Sequence, residues 1–298
     1  MEKLQEAIDH FKLNVLTIQD VPESHSSEVF KIQLLNQENV YIKIPYTKTK
    51  LFREYETLNL LHNEVSVPTI LDFWEGDEIH TGALLLENIN GVPCTGKVSP
   101  QLAYQIGVNH AKIHAVSMLK YGTFSEKGFQ SLDNNDWSAF VRKKFLEFEP
   151  YVKEVLSPEL YEKSIVHFEK RFNALPEPEN PSIIHMDFRP GNILIRDDSV
   201  VGIIDFESAR SGATEMDFTK INRDIFNKYP KTKEAYIAGY ETIRPIIDLN
   251  QVLSFYSFYD AFNSIGWCKI RGIEQHQDFL NESVNILNRS ILDNTDKN

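Results

Sequence analysis

The sequence predicts an α+β protein in two lobes, a small β-rich lobe over residues 1–90 and a larger, mostly helical lobe over residues 91–298. Three observations predict it. The first third of the chain carries short apolar runs bounded by turn residues, with a single helical stretch among them. Asn90-Gly91-Val92-Pro93 then interrupts the pattern. Beyond it, apolar residues recur at helical spacing, except in one β-patterned segment over residues 183–205. A two-lobed layout leaves a cleft, the usual place for a small ligand.

Taken in order, residues 28–35 and 40–44 read as strands joined by the polar turn Asn36-Gln37-Glu38-Asn39, and Pro45 stops the second. Residues 51–62 read as a helix, with Leu51, Tyr55, Leu58 and Leu61 on one face and Val67-Pro68 beyond its end. Residues 70–74 and 83–89 are further strands. In the second lobe residues 101–116, 138–151 and 158–175 are helical, Pro176-Glu177-Pro178-Glu179-Asn180-Pro181 is a stiff loop, and helix resumes after Asp217. Phe255, Tyr256, Phe258, Tyr259 and Phe262 recur at helical spacing and read as core, as does His114. Asn294-Thr295-Asp296-Lys297-Asn298 is expected to fray.

Composition narrows the function. The 298 residues are 42% hydrophobic and 25% charged, as in an ordinary globular protein. With 31 basic and 43 acidic residues the net charge is −12, which disfavours nucleic acid and anionic membrane as partners and is compatible with a cationic ligand. Two cysteines, Cys94 and Cys268, are too few for a disulfide framework or a zinc cluster and read as reduced thiols. The first ten residues carry charges where a secretory signal needs an apolar run. No stretch approaches the ~20 apolar residues that span a bilayer. The expectation is a cytoplasmic protein.

The chemistry concentrates in Ile183-Ile184-His185-Met186-Asp187-Phe188-Arg189-Pro190-Gly191-Asn192-Ile193-Leu194-Ile195 and in Ile203-Ile204-Asp205-Phe206-Glu207. Pro190-Gly191 forces a turn inside a polar run. Asp197-Asp198-Ser199 then reverses the chain into a β-hairpin. If that turn centres on Asp198-Ser199, Asn192 and Asp205 face each other across the hairpin, with Cβ atoms ~5 Å apart. An amide oxygen beside a carboxylate suits a hard cation such as Mg2+. Asp187 stands close to that pair, where a base that orients a hydroxyl belongs. Arg189 adds a fixed cation suited to phosphate oxygens.

His185-x-Asp187-x-Arg189-Pro190-x-Asn192 resembles the catalytic loop of protein-kinase-like enzymes, and Asp205-Phe206-Glu207 resembles their metal-binding Asp-Phe-Gly. Arg189 in place of the usual lysine, Glu207 in place of glycine, and the compact spacing are most similar to the aminoglycoside phosphotransferase and choline kinase family. The resemblance implies a two-lobed protein-kinase-like fold, catalytic Asp187, and Asn192 and Asp205 as magnesium ligands. Such an enzyme needs a lysine held by a carboxylate for the nucleotide phosphates. Strand alternation puts Lys43 and Tyr41 on the face opposite Val40, Ile42 and Ile44. Glu54 flanks the inward stripe of the following helix and is the available partner, whereas Glu56 points away.

The phosphate-covering loop of the family corresponds to Pro22-Glu23-Ser24-His25-Ser26-Ser27-Glu28, which lacks glycine; Ser26 and Ser27 are its candidate donors. Leu84-Leu85-Leu86-Glu87-Asn88-Ile89 resembles the hinge, which implies that main-chain groups of Glu87 and Ile89 bind the purine. Gly212-x-x-x-x-Asp217 resembles the segment after the metal aspartate, with Asp217 in a structural role. The activity so implied is transfer of the γ-phosphoryl group of ATP or GTP to a hydroxyl of a small, cationic, aminoglycoside-type molecule, hence antibiotic resistance. A choline, homoserine or methylthio-sugar kinase shares the motifs. A silent nucleotide-binding module is the alternative of another class. Acceptor-pocket residues, with Asp260 and Trp267 as weak candidates, and the oligomeric state stay open at this point.

Overall fold

The computed structural model describes residues 2–22 and 26–292. The expected fray at 294–298 and residues 23–25 of the phosphate-covering loop lie outside the described residues. The first lobe is built from α1 (Glu2–His10), β1 (Val15–Asp20), β2 (Ser27–Leu34), β3 (Asn39–Pro45), α2 (Lys48–Leu61), β4 (Ile70–Trp74) and β5 (Ala83–Glu87). Its strands form one antiparallel sheet in the order β1-β2-β3-β5-β4. On one face Val40, Ile42 and Ile44 pack with Phe30, Ile32 and the α1 residues Leu4, Ala7 and Ile8. That leaves Tyr41 and Lys43 on the other face, toward α2. Thr47 caps α2 by accepting a hydrogen bond from the Lys50 amide. Helix α1 is absent from the sequence reading above, although Leu4, Ala7, Ile8 and Phe11 have helical spacing and are all buried.

Beyond β6 (Val92–Pro93) come α3 (Pro100–His114), β7 (Gly122–Ser125), β8 (Gly128–Ser131), α4 (Trp137–Lys153), α5 (Pro158–Phe172), β9 (Ser182–Ile184), β10 (Ile193–Arg196), β11 (Ser199–Ile203), β12 (Arg210–Gly212), α6 (Phe218–Ile221), α7 (Thr232–Glu241), α8 (Leu249–Arg271) and α9 (Gln277–Leu292). The helices start where the chemistry directs. Ser99 caps α3 and Ser157 caps α5, each followed by a proline in the first turn, and Asp136 caps α4. Phe145, Phe168, Phe258 and Phe262 close the core between α4, α5 and α8.

The β content of this lobe exceeds the one interruption read from the sequence. A hairpin of β7 and β8 joins β12 and β9 in a second sheet, in the order β8-β7-β12-β9. It also touches the first lobe, where Thr49 Oγ1 donates to Glu126 Oε2 at 3.1 Å. These strands are too short for alternation to stand out against the helical background.

The hairpin of β10 and β11 corrects the sequence reading in one respect. Its tip pairs Arg196 with Ser199, so the turn residues are Asp197 and Asp198. Both have positive φ, 51° and 57°, as a tight hairpin turn requires and as aspartate tolerates. A register shift after Leu194 follows. The Ile204 amide therefore donates to the Asn192 carbonyl at 3.0 Å, and Asn192 stands opposite Ile204 with Asp205 one residue farther on.

Candidate active site

Lys43 is 5% exposed yet charged, because three carboxylates surround it. Its Nζ lies 2.6 Å from Asp205 Oδ1, 2.7 Å from Glu54 Oε2 and 3.4 Å from Glu207 Oε2. Burial opposes its charge, but Asp205, Glu54 and Glu207 outweigh burial and raise its pKa. The same burial raises Glu54 against the pull of Lys43. Asp205 is lowered: burial pushes it up, and the charge and hydrogen bond of Lys43 overcome that. Asp205 has φ of 72°, a conformation aspartate tolerates better than most residues. Glu207 also pairs with Lys50 at 3.0 Å, and Arg53 donates to the Glu207 carbonyl at 3.1 Å. Two acidic residues of the Asp-Phe-Glu segment thus lock onto β3 and α2 of the first lobe.

Asp187 sits on the loop between β9 and β10. Asn192 donates its amide nitrogen to the Asp187 carbonyl at 2.9 Å and to its Oδ2 at 3.1 Å. Arg189 Nε donates to the same Oδ2 at 3.0 Å. Arg189 is therefore folded back onto Asp187. Gly191 makes room for it, since a Cβ there would lie 2.6 Å from the Arg189 guanidinium. The bonds orient Asp187 and commit the nitrogen end of Asn192, so the amide oxygen is the open ligand atom. That oxygen and the Asp205 carboxylate form an all-oxygen donor set, which fits magnesium.

The loop is held from behind by Asp217, as its structural reading anticipated. Asp217 accepts from the backbone amides of His185 and Met186 at 2.7 and 2.6 Å, and from His110 Nε2 and His114 Nε2 at 3.1 and 3.2 Å. A carboxylate only accepts, so both Nε2 atoms carry hydrogen and both Nδ1 atoms accept from tyrosine hydroxyls, Tyr236 for His110 and Tyr240 for His114. Burial, with its neighbour His110, pushes His114 down to about 3. Asp217 is likewise depressed: burial acts upward, and the two histidine hydrogen bonds overcome it. His110, His114 and Asp217 could be mistaken for metal ligands. Their hydrogen bonds account for every ligating atom. The His185 ring donates to the Ile204 carbonyl at 3.0 Å and accepts from the Asp187 amide, tying the loop to the segment that leads from β11 to Asp205.

Ser26, Asp187, Arg189, Asp205 and Glu207 line one cleft of about 690 Å³, together with Lys220, Arg223 and Trp267. Ser27 is instead buried on β2. Glu87 and Ile89 lie outside the cleft lining: the Glu87 amide donates to the Thr69 carbonyl at 2.9 Å, and Ile89 packs on Gly202. Of the acceptor candidates, Trp267 lines the cleft and Asp260 an adjoining cavity. Sequence reasoning gave no role to Glu207, Lys50 or Arg53; the second carboxylate in Asp-Phe-Glu was the available signal.

The phosphotransferase enzyme family model matches residues 17–250. The chain belongs to that family. This phosphotransferase has the fold of solved antibiotic kinases. A thermostable mutant of aminoglycoside phosphotransferase APH(4)-Ia in apo form superposes with a TM-score of 0.73 at 14% identity, covering 98% of each chain. The GDP and kanamycin complex of APH(2")-IIia gives a TM-score of 0.72 at 14% identity, over 99% of this chain and 100% of that one. Macrolide 2'-phosphotransferase MphH from Brachybacterium faecium gives 0.67 at 13% identity, over 96% and 97%. Among curated proteins no sequence matches. The phosphotransferase thus has the two-lobed kinase-like architecture of those structures. No helix among its described residues is long and apolar enough to cross a membrane.

Proposed function

We propose that the protein transfers the γ-phosphoryl group of ATP or GTP to a hydroxyl of a small molecule, with Asp187 as the residue that receives the hydroxyl. The observation that carries this reading is the convergence on one cleft of Asp187, Asp205 and the cluster built on Lys43. Asp187 Oδ2 is held by Arg189 and Asn192, which fixes the carboxylate and lets its other oxygen accept the hydroxyl proton. Lys43, fixed by Glu54, is the cation for the nucleotide phosphates. Arg189 acts first through Asp187. Asn192 and Asp205 are the residues that would hold magnesium, which when bound neutralises phosphate charge. In this reading the purine edge meets main-chain groups of Glu87 and Ile89 at the margin of the cleft, and Ser26 borders the phosphates. Catalysis by such a set is positioning and electrostatics.

The aminoglycoside acceptor has the support of neighbours whose complexes hold hygromycin B and kanamycin. The macrolide enzyme extends the candidate class. Every polar role of a kinase is filled by a suitable side chain, which favours an enzyme over a silent nucleotide binder. A panel of aminoglycosides, macrolides, amino alcohols and hydroxylated carboxylic acids, incubated with ATP or GTP and magnesium, should contain a compound that gains the mass of one phosphate. Nucleotide binding with no hydrolysis and no acceptor in any class would favour the silent binder.

A further inference from the structure

Arg210 has no part in the reading above, and its surroundings are unusual. It opens β12, and its guanidinium faces a side cavity of about 200 Å³ walled by Phe140, Phe148, Met186, Tyr256 and Tyr259. Its Nε is sealed from solvent without a partner, and among the described residues its side chain makes no hydrogen bond or ion pair. The nearest compensation is the Phe140 ring, 4.6 Å from the guanidinium carbon. A cation taken out of water normally has a carboxylate, because desolvation costs several kcal/mol. Burial and the like charge of Arg53 lower Arg210 to about 10, so it still carries its proton at neutral pH.

A second observation points the same way. Asn263, which lines both this cavity and the cleft, has its Oδ1 sealed and unpartnered. The cavity and the cleft share Asn263 and Phe148 in their walls, and Met186 in the cavity wall precedes Asp187 in the chain.

The charges around it complete the argument. Apart from Asp187, Arg189, Asp205 and Glu207, the cleft and cavity present Lys144, Arg210, Lys220 and Arg223 against a single carboxylate, Asp260. Asp260 is already engaged by Lys220 at 2.9 Å and Arg223 at 3.7 Å. Lys144 and Arg223 have the partners Glu147 and Asp224, which leaves Arg210 as the unpaired member of this set.

We propose that the acceptor carries a carboxylate-type anion that seats on Arg210, with a flat apolar body among Phe140, Tyr256 and Tyr259. This deepens, and rests on, the phosphotransferase reading. Guanidinium binds carboxylate through paired hydrogen bonds, so the anion restores the partner that the fold omits.

Three probes of one shape and different charge test it: benzoate, benzamide and benzylamine, titrated into the full chain with magnesium–ATP present and followed by ligand-detected NMR. Benzoate should bind at least about tenfold more tightly than either of the others. In Arg210→Met that preference should vanish while the thermal shift given by magnesium–ATP is retained. Equal affinities, no measurable binding of any probe, or a preference for benzylamine would overturn the proposal on the wild-type protein alone. So would a benzoate preference that survives Arg210→Met. Failure of the phosphotransferase reading registers separately, as the absence of any shift with either magnesium–ATP or magnesium–GTP in the wild type.

Discussion

Lys43 Nζ lies 2.6 Å from Asp205 Oδ1, a contact that spans 162 positions of the chain and joins the sheet of the first lobe to the loop of the second. Glu54 and Glu207 complete a cage in which one cation answers three carboxylates. Removing that cation leaves buried negative charge uncompensated. Lys43→Met should therefore lose nucleotide binding and about 3–5 kcal/mol of stability in urea unfolding. Adding Glu54→Leu should return part of the stability and none of the turnover. A Lys43→Met protein as stable as the wild type would show that the cage is not what balances these charges.

Asp217 supports the catalytic loop through four accepted hydrogen bonds, two from backbone amides. Asp217→Asn replaces one acceptor oxygen by a donor facing donors. The expected cost is at least about 3 kcal/mol, with reduced kcat even in the protein that remains folded. Equilibrium unfolding combined with turnover on the soluble fraction measures both. Unchanged kcat would separate the loop's geometry from Asp217.

The same cluster predicts an acid dependence. In the unfolded chain a histidine takes a proton near pH ~6.5, whereas folded His114 resists until about 3. Its folded pKa is depressed, so its contribution is present above ~6.5 and is lost as pH falls, by up to ~1.4 kcal/mol per unit. Asp217, depressed as well, adds to the loss only below about pH 4. The urea midpoint should drop between about pH 7 and pH 5. The slope should be shallower in His114→Asn. Identical slopes in the two proteins would mean that His114 titrates in the folded state as it does in the unfolded one.

Asn192 and Asp205 offer the oxygen ligands. Asn192→Ala should raise the magnesium concentration needed for half-maximal nucleotide binding and also loosen Asp187, which loses a donor. Asp205→Asn should raise the same requirement while leaving the Asp187 contacts in place. Titration of magnesium at fixed nucleotide measures the requirement in both variants, and kcat at saturating magnesium reads the added loosening of Asp187 in Asn192→Ala. A requirement unchanged in both variants would remove the pair from metal binding.

Much of this arrangement is local in sequence and could be read there. Asp187, Arg189 and Asn192 share one turn, and their mutual bonds span only a few residues. Lys43 and Glu54 were accessible through strand alternation and helix spacing, two periodicities that survive folding. The register of Asn192 and Asp205 was not, because it depends on which two aspartates take positive φ and on a shift at Leu194. Glu207 was visible as a departure from glycine, yet its contacts with Lys43 and Lys50 exist only once the lobes meet. Arg210 reads as an ordinary surface arginine until the cavity around it is seen to lack a partner.

That Asp187 receives the acceptor's hydroxyl is open to direct measurement. With an acceptor from the screen in hand, the direct measurement is kcat for phosphate transfer by Asp187→Asn at saturating magnesium–nucleotide, beside the nucleotide-induced thermal shift of the same protein. The account predicts a fall of roughly 10²–10⁴-fold in kcat with the thermal shift retained. Transfer at the wild-type rate by a folded, nucleotide-binding Asp187→Asn protein would contradict it.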